Sequence, residues 1–359
     1  MSAATSGKGS LPHQMRTAAE PRQNRLYNVR LSHIEQASPC VRLLQLTLPP
    51  EVQNPEDNCQ ESDQETQPQP LTFLPGQWLD VHIPSISNAG GFSITSTPAD
   101  AQVLPPLIEA AVEAIANDEP GLPPPNPGGR PPYVELAVRE APSNPASAWL
   151  WKPADEILGS ELSIRVGGSF VWPPSGVRLD AIRNVVFVAG GVGINPLISM
   201  LSHLNNDDEA TTTLRHPSFK IHFLYSTKLP EGATTTAATS TESLESVLGQ
   251  ILFLSRLRQI VSIQSQLRRL RITLDLFITN LDDDKSSPLL KHPFDDMRIH
   301  GRRINPQDLR AATSKDDGES EPSETVCYVC GPPGMTDDMV KGLDGLLGSS
   351  ERVFYEKWW

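Results

Sequence analysis

Bare glycines stand where apolar runs end in this chain of 359 residues. In "AGGVGINP", Ala189 to Pro196, an apolar run stops, Gly190, Gly191 and Gly193 turn the chain, and a helix pattern opens with Pro196 in its first turn. Backbone without side chains can approach a ligand closely, and a helix N-terminus favours a phosphate. The spacing is not GxGxxG. "CGPPGM", Cys330 to Met335, repeats the geometry later: Gly331 and Gly334 permit unusual backbone angles, and Pro332 and Pro333 stiffen the turn. A third stretch, "GGFSITSTP" from Gly90 to Pro98, alternates as a strand, with Phe92 and Ile94 on one face and Ser93 and Thr95 on the other. Two glycines with no charge beside them lead into those hydroxyls.

Other reactive residue types carry less. Cys327 and Cys330 form a CxxC inside the strand-like "TVCYVCGP", and residues an odd number apart on a strand point to opposite faces, so a shared metal or disulfide is not expected. Four cysteines are too few for a disulfide scaffold in a chain this long, which favours a reducing compartment. The eight histidines show no ligand spacing, and no metal site is expected.

Two kinds of element must position these turns. Residues 25–178 read as short strands with turn signals: "RLYNVRLSHIEQ", "VRLLQLTLPP", "GQWLDVHIP", "GGFSITSTP", "YVELAVREA" and "ELSIRVGGSFVWPP". That cadence predicts a small antiparallel barrel or sandwich. It is interrupted by an acidic, Gln-rich insertion at 52–70, disordered in character, and by a second at 100–131, alanine-rich and helix-like, then proline-rich. Residues 179–359 alternate strand and helix, starting with the buried-strand run "NVVFVAGG" and the helical "INPLISMLSHL". This predicts a doubly wound parallel sheet, with ligands at the carboxyl ends of its strands, where the two glycine turns converge. One amphipathic helix is expected from Leu244 to Ile260, and Arg256, Arg258, Arg268, Arg269 and Arg271 read as the solvated side of that helix and its exit.

The net charge of −13 argues against nucleic-acid binding, which needs a basic footprint. No apolar run reaches membrane-spanning length, so no integral membrane segment is expected. The first 30 residues carry Lys8, Arg16, Arg22, Arg25 and Arg30 against the single acid Glu20, and residues 1–24 read as a disordered tail or a transit segment, which favours an intracellular, mitochondrial location over a cytoplasmic one.

The order of these pieces resembles the ferredoxin–NADP reductase superfamily: "FLPGQWLDVHIP", then the GGFSI strand, then AGGVGINP, then CGPPGM, then an acidic-aromatic terminus. "GGFSI", "AGGVGINPL", "CGPPGMTD" and "EKWW" are similar, more closely, to the oxidoreductase NAD-binding domain-containing protein group. The resemblance implies a flavin-binding β-barrel followed by a nucleotide-binding α/β domain, with FAD across the barrel mouth and NADH or NADPH entering at the sheet. Hydride would pass from nicotinamide C4 to flavin N5 and electrons onward to an external acceptor. Such a protein contributes geometry, and the cofactors supply the redox chemistry.

Residue by residue, the resemblance assigns Gly90, Gly91, Phe92, Ser93 and Ile94 to the flavin strand, with Phe92 against the isoalloxazine and Ser93 near N5. The family's phosphate-binding arginine position is Gly90. Ser147 in "NPASAWL" fits a second flavin-phosphate loop in which Asn144 replaces a glycine, and Arg139 and Lys152 are candidates for the missing charge. Gly190, Gly191, Val192, Gly193, Ile194 and Pro196 match the dinucleotide turn. Cys330, Gly331 and Pro332 match the nicotinamide side, and Glu356 and Trp358 the terminal pattern whose aromatic covers the flavin. Ser93, Cys330 and Glu356 form the expected catalytic set. Lys228 is the candidate for a 2′-phosphate, with NADH preferred. The competing reading is a non-catalytic nucleotide-binding or interaction protein that has lost tight flavin binding.

Overall fold

A computed structural model describes residues 12–48, 70–102, 130–206, 219–230, 241–281, 287–314 and 322–358. Almost all of both expected insertions lies outside the described residues.

Alternating burial builds the first unit. Strands β1 (Tyr27–Ser38), β2 (Val41–Thr47), β3 (Trp78–His82), β4 (Gly90–Ser93), β5 (Tyr133–Arg139) and β6 (Glu161–Gly167) form an antiparallel sheet in the order β4-β3-β6-β1-β2-β5. Each of the six stretches read as strand holds one of them. The sheet closes on itself where Ile94, just past β4, bridges Leu136 on β5. Leu31, Leu44, Leu79, Ile94, Leu136 and Ile164 fill its interior.

The second unit is the expected parallel sheet. Strands β7 (Asn184–Gly190), β8 (Lys220–Thr227), β9 (Arg271–Ile278), β10 (Arg298–His300), β11 (Thr325–Gly331) and β12 (Val353–Lys357) lie in the order β10-β9-β8-β7-β11-β12. The chain moves outward from β7 to β10 and then crosses back to β11, so the strand order reverses between β7 and β11. Helices cover both faces. Phe187, Ala189, Tyr328 and Cys330 point to the core under helices Ile194–Asn206 and Leu254–Leu267. Val186, Val188, Cys327 and Val329 point to the core under helices Pro306–Thr313 and Pro333–Leu347. Cys327 and Cys330 therefore sit on opposite faces, as strand alternation requires.

Three expectations are corrected, and one strand is added. The single helix from Leu244 to Ile260 is two, Thr241–Leu248 and Leu254–Leu267. The chain breaks at Gly249 and passes through a left-handed Phe253, φ 58°, which lets Leu248, Ile251, Leu252 and Phe253 all reach the core. The arginines are not merely a solvated face: Arg258 pairs with Glu245 and Asp296, and Arg269 donates to the Leu204 and Asn205 carbonyls. The three-residue edge strand β10 has too little pattern to be read from sequence. The segment read as a tail is folded from Pro12 onward: a short helix, His13–Arg16, packs on β4, and Arg22 bridges Gly167. Among the described residues no helix is long and apolar enough to cross a membrane.

The two units are joined by polar contacts. Asn195 Nδ2 donates to the Ala137 carbonyl at 2.9 Å, and Ser199 Oγ to the Ser96 carbonyl at 2.6 Å. Arg256 makes a two-pronged bond to Glu135, at 3.0 and 3.2 Å, and Glu135 also accepts from Thr95 Oγ1 at 2.8 Å. Glu135 is only 6% exposed, and that arginine is its ion-pair partner. Arg256→Met should lower stability by about 2 kcal/mol, because it strands a buried carboxylate. Combined with Glu135→Gln it should cost roughly 1 kcal/mol less than the sum of the two single changes in a urea double-mutant cycle. Strict additivity would show that the pair does not tie the units together.

Candidate functional site

The strand-order reversal places two chain turns side by side, the position at which open α/β sheets bind ligands. Their approach is backbone to backbone. A side chain at Gly193 would run into the Cys330 carbonyl. A Cβ on Gly331 would sit 3.1 Å from Gly190 Cα, and one on Gly190 would meet Met335 Sδ at 2.5 Å and Pro332 at 2.9 Å. These three glycines are required by packing. Gly191 differs: its φ is +54°, and nothing lies within 4 Å of where its side chain would be. The turn Gly191–Gly193 leads into helix Ile194–Asn206, and no side chain caps it. Ile194 and Pro196 are buried and anchor the turn from beneath.

At the same end, β11 and β12 pair Cys330 with Glu356 and Gly331 with Lys357. The Trp358 backbone N–H donates to the Gly331 carbonyl at 3.1 Å, and its indole Nε1 donates to Glu356 Oε2 at 3.2 Å. Cys330 is fully buried. Burial pushes its thiol well above the ordinary value, the Glu356 charge adds to the shift, and the Trp358 indole opposes it. The thiol is neutral at physiological pH and is no thiolate nucleophile. Loss of water pushes Glu356 up to about 8, against the pull of the Trp358 N–H, with Glu20 adding to the rise. Glu20 belongs to the folded N-terminal segment, and its carboxylate accepts from Ser169 N and Oγ at 3.1 and 2.6 Å.

The flavin-type strand lies between two covers. Register pairs Trp78 with Ser93, Leu79 with Phe92, Asp80 with Gly91 and Val81 with Gly90. On the Gly91 and Ser93 side, the His13 ring occupies the space above Gly91 and meets Trp78 edge-on, with centroids 4.6 Å apart. Asp80, fully buried, holds that cover: Oδ2 accepts from Arg22 Nε at 2.9 Å and Arg165 Nη2 at 2.8 Å, and His13 Nε2 stands 3.3 Å from Oδ1. Burial alone would raise the Asp80 carboxyl, but these partners hold it well below the usual range. Ser93 is buried at 3% exposure. On the other side, Phe92 packs against the barrel core.

No family model matches the sequence. Oxidoreductase NAD-binding domain-containing protein 1 of Xenopus laevis is 32% identical over 291 residues, covering 80% of this chain and 71% of the relative. The chain belongs to the oxidoreductase NAD-binding domain-containing protein 1 family. Solved structures agree on the fold. The CS-b5R domains of human Ncb5or in the NAD+ form superpose with a TM-score of 0.55 at 16% identity, over 92% of this chain and 69% of that one. A ferredoxin NADP+ reductase from Neisseria gonorrhoeae with bound FAD and NADP gives 0.50 at 13% identity, over 93% of this chain and 99% of that one. This family member thus has the ferredoxin-reductase architecture expected from its motifs.

Its phosphate end of the flavin strand departs from expectation. A Cβ on Gly90 would meet Ala146 Cβ at 2.5 Å and the Phe92 ring at 2.6 Å, so neither an arginine nor any other side chain fits there as packed. Asn144 caps the helix Pro145–Leu150, its Oδ1 accepting from Ala146 N at 3.1 Å and Ser147 N at 3.2 Å. Ser147, expected to offer a hydroxyl to a phosphate, is turned inward: its Oγ donates to the Arg139 carbonyl and accepts from Ala141 N. Arg139 and Lys152 are exposed. The residues present do not fit a flavin diphosphate.

Several members of the site have no local sequence signal. Asn195 ties the dinucleotide turn to the barrel through one donor in a motif dominated by glycines. His13 and Glu20 reach β4 and Ser169 from a segment of tail-like composition. Glu356 gives the sharpest test. Below its native pKa it keeps a proton that the unfolded chain, with an ordinary value of 4.5, has already lost, so stability falls as pH rises between the two. The melting temperature of the native protein should fall relative to Glu356→Gln as pH is raised from about 5 to about 8. Parallel curves would mean an ordinary, solvated carboxylate.

Proposed function

We propose that this chain is an NAD(P)H-dependent oxidoreductase of ferredoxin-reductase type that passes two electrons from a nicotinamide dinucleotide to an external acceptor. The observation that carries the reading is the uncapped turn at Gly191, at the reversal of strand order, beside Glu356 and Trp358. Backbone N–H groups of the turn meet the dinucleotide phosphates at the start of a 13-residue helix. Gly331 and Pro332 shape the approach to the strand ends, and Trp358 offers an aromatic face there. When bound, a reduced nicotinamide supplies a hydride from its C4. Glu356, protonated up to about pH 8, holds the proton that balances it, so that NAD(P)H, acceptor and one proton give NAD(P)+ and the reduced acceptor. Cys330, neutral and buried, shapes the wall of the site. The names of the relatives and the nicotinamide forms of the solved neighbours support the same reading.

Lys228, exposed just past β8, is the candidate for a 2′-phosphate, so NADH and NADPH are to be compared directly. Gly191 is the residue to change, because open space and a left-handed backbone accept Asn or Asp with little strain. Gly191→Asp sets a carboxylate against the phosphates and should weaken calorimetric binding of the preferred dinucleotide at least about tenfold. Gly191→Asn should stay within about threefold of the native protein. Equal affinities for the Asp and Asn variants would remove the turn as the phosphate site.

A further inference from the structure

We infer that this chain does not retain flavin adenine dinucleotide, because the place where its fold would hold the diphosphate is filled by the chain itself. A missing arginine would be a change of one side chain; here the space has been closed as well. Ala146 and the Phe92 ring stand against Gly90, close enough to exclude even a methyl group. The backbone donors that open the helix Pro145–Leu150 are spent on Asn144, and the Ser147 hydroxyl is spent on its own loop. On the opposite face of β4, the His13 ring lies over Gly91. The cations nearest that face are also committed, since Arg22 and Arg165 both neutralise Asp80. Along the Gly90–Ser147 contact the first helical N–H groups are therefore taken, and position 90 has no room for the cation that would pair with an anion there.

Two helix entries, at Gly191 and at Asn144, make the contrast internal. The entry at Gly191 is bare, uncapped and open; the entry at Asn144 is capped and packed shut. One is built to receive a phosphate and the other is not. An acceptor then reaches the nicotinamide side as a diffusing molecule rather than as a resident flavin tethered by its adenylate. This inference stands independently of the dinucleotide reading, because it rests on the barrel's own packing.

The test uses the full chain, purified with FAD present throughout and then gel-filtered. The expected protein carries no visible flavin absorbance, and added FAD fluorescence is not quenched. Gly90→Arg combined with Ala146→Gly restores the cation and removes the Ala146 methyl from its path, leaving the Phe92 ring to turn aside. That double variant, shown to be folded by its melting curve, should bind FAD at least about tenfold more tightly than the native protein. Native protein that keeps one FAD per chain through gel filtration overturns the inference. So does a folded double variant that gains nothing, since the closed contact would then not be what keeps flavin out. If the double variant does not fold, the flavin content of the native protein decides alone. Calorimetry with NADH and NADPH on the same sample separates the two readings: failure to bind either sinks the proposed function and leaves this inference untouched.

Discussion

The closest approach between the ends of β7 and β11 governs the rest of the site. Gly193 lies so near the Cys330 carbonyl that only a residue without a side chain can stand there, and Gly190 and Gly331 repeat the constraint one step away. Bringing two strand ends together at the reversal of strand order opens a crevice above them, and the turn that leaves β7 must cross its floor. Gly191 is the one glycine of that turn that packs against nothing, which is how a tight backbone junction comes to present an open backbone surface. The same junction fixes β12, whose pairing with β11 delivers Glu356 beside Cys330 and Trp358 beside Gly331.

The barrel is held to this junction by polar bonds placed along one helix and its neighbour. Asn195 and Ser199, one turn apart on the helix that begins at the junction, each donate to a barrel carbonyl, and Arg256 reaches Glu135 from the adjacent helix. Buried polar groups of this kind specify a single arrangement, because each loses its partner if the units slide. Asn195 Oδ1 has no hydrogen-bond partner among the described residues. The folded N-terminal segment adds a second clamp. Asp80 draws two arginines and a histidine onto the outer face of β3 and β4, and the same segment carries Glu20 to Ser169.

Much of this architecture was legible in the sequence, and for physical reasons. Strand alternation located all six barrel strands and placed Cys327 and Cys330 on opposite faces. The continuous apolar run from Val185 to Ala189 could only be a strand buried on both sides. What stayed hidden has one character: long-range polar contact. Arg256 reads as a solvated arginine until Glu135, distant in sequence, is brought beside it. His13 and Glu20 belong to a segment whose composition is that of a tail and whose order comes from the buried carboxylate of Asp80. The helix break near Gly249 was hidden for a related reason, since only the tertiary core dictates that Leu248, Ile251, Leu252 and Phe253 must all be buried at once.

The glycines at 90 and 91 can be set against those at 190 and 191. Both pairs lie at strand ends or starts near a helix entry, and in sequence they look alike. Packing separates them. Gly191 faces empty space next to donors that no side chain has claimed, whereas Gly90 faces Ala146 and Phe92, and Gly91 faces His13. A glycine is neutral between two uses: it lets a ligand approach backbone, or it lets the protein approach itself. Only the neighbours decide which, and here they decide oppositely. The fold keeps the architecture of a two-cofactor reductase, while its packing leaves an open backbone turn on the nicotinamide side and closes the one on the flavin side.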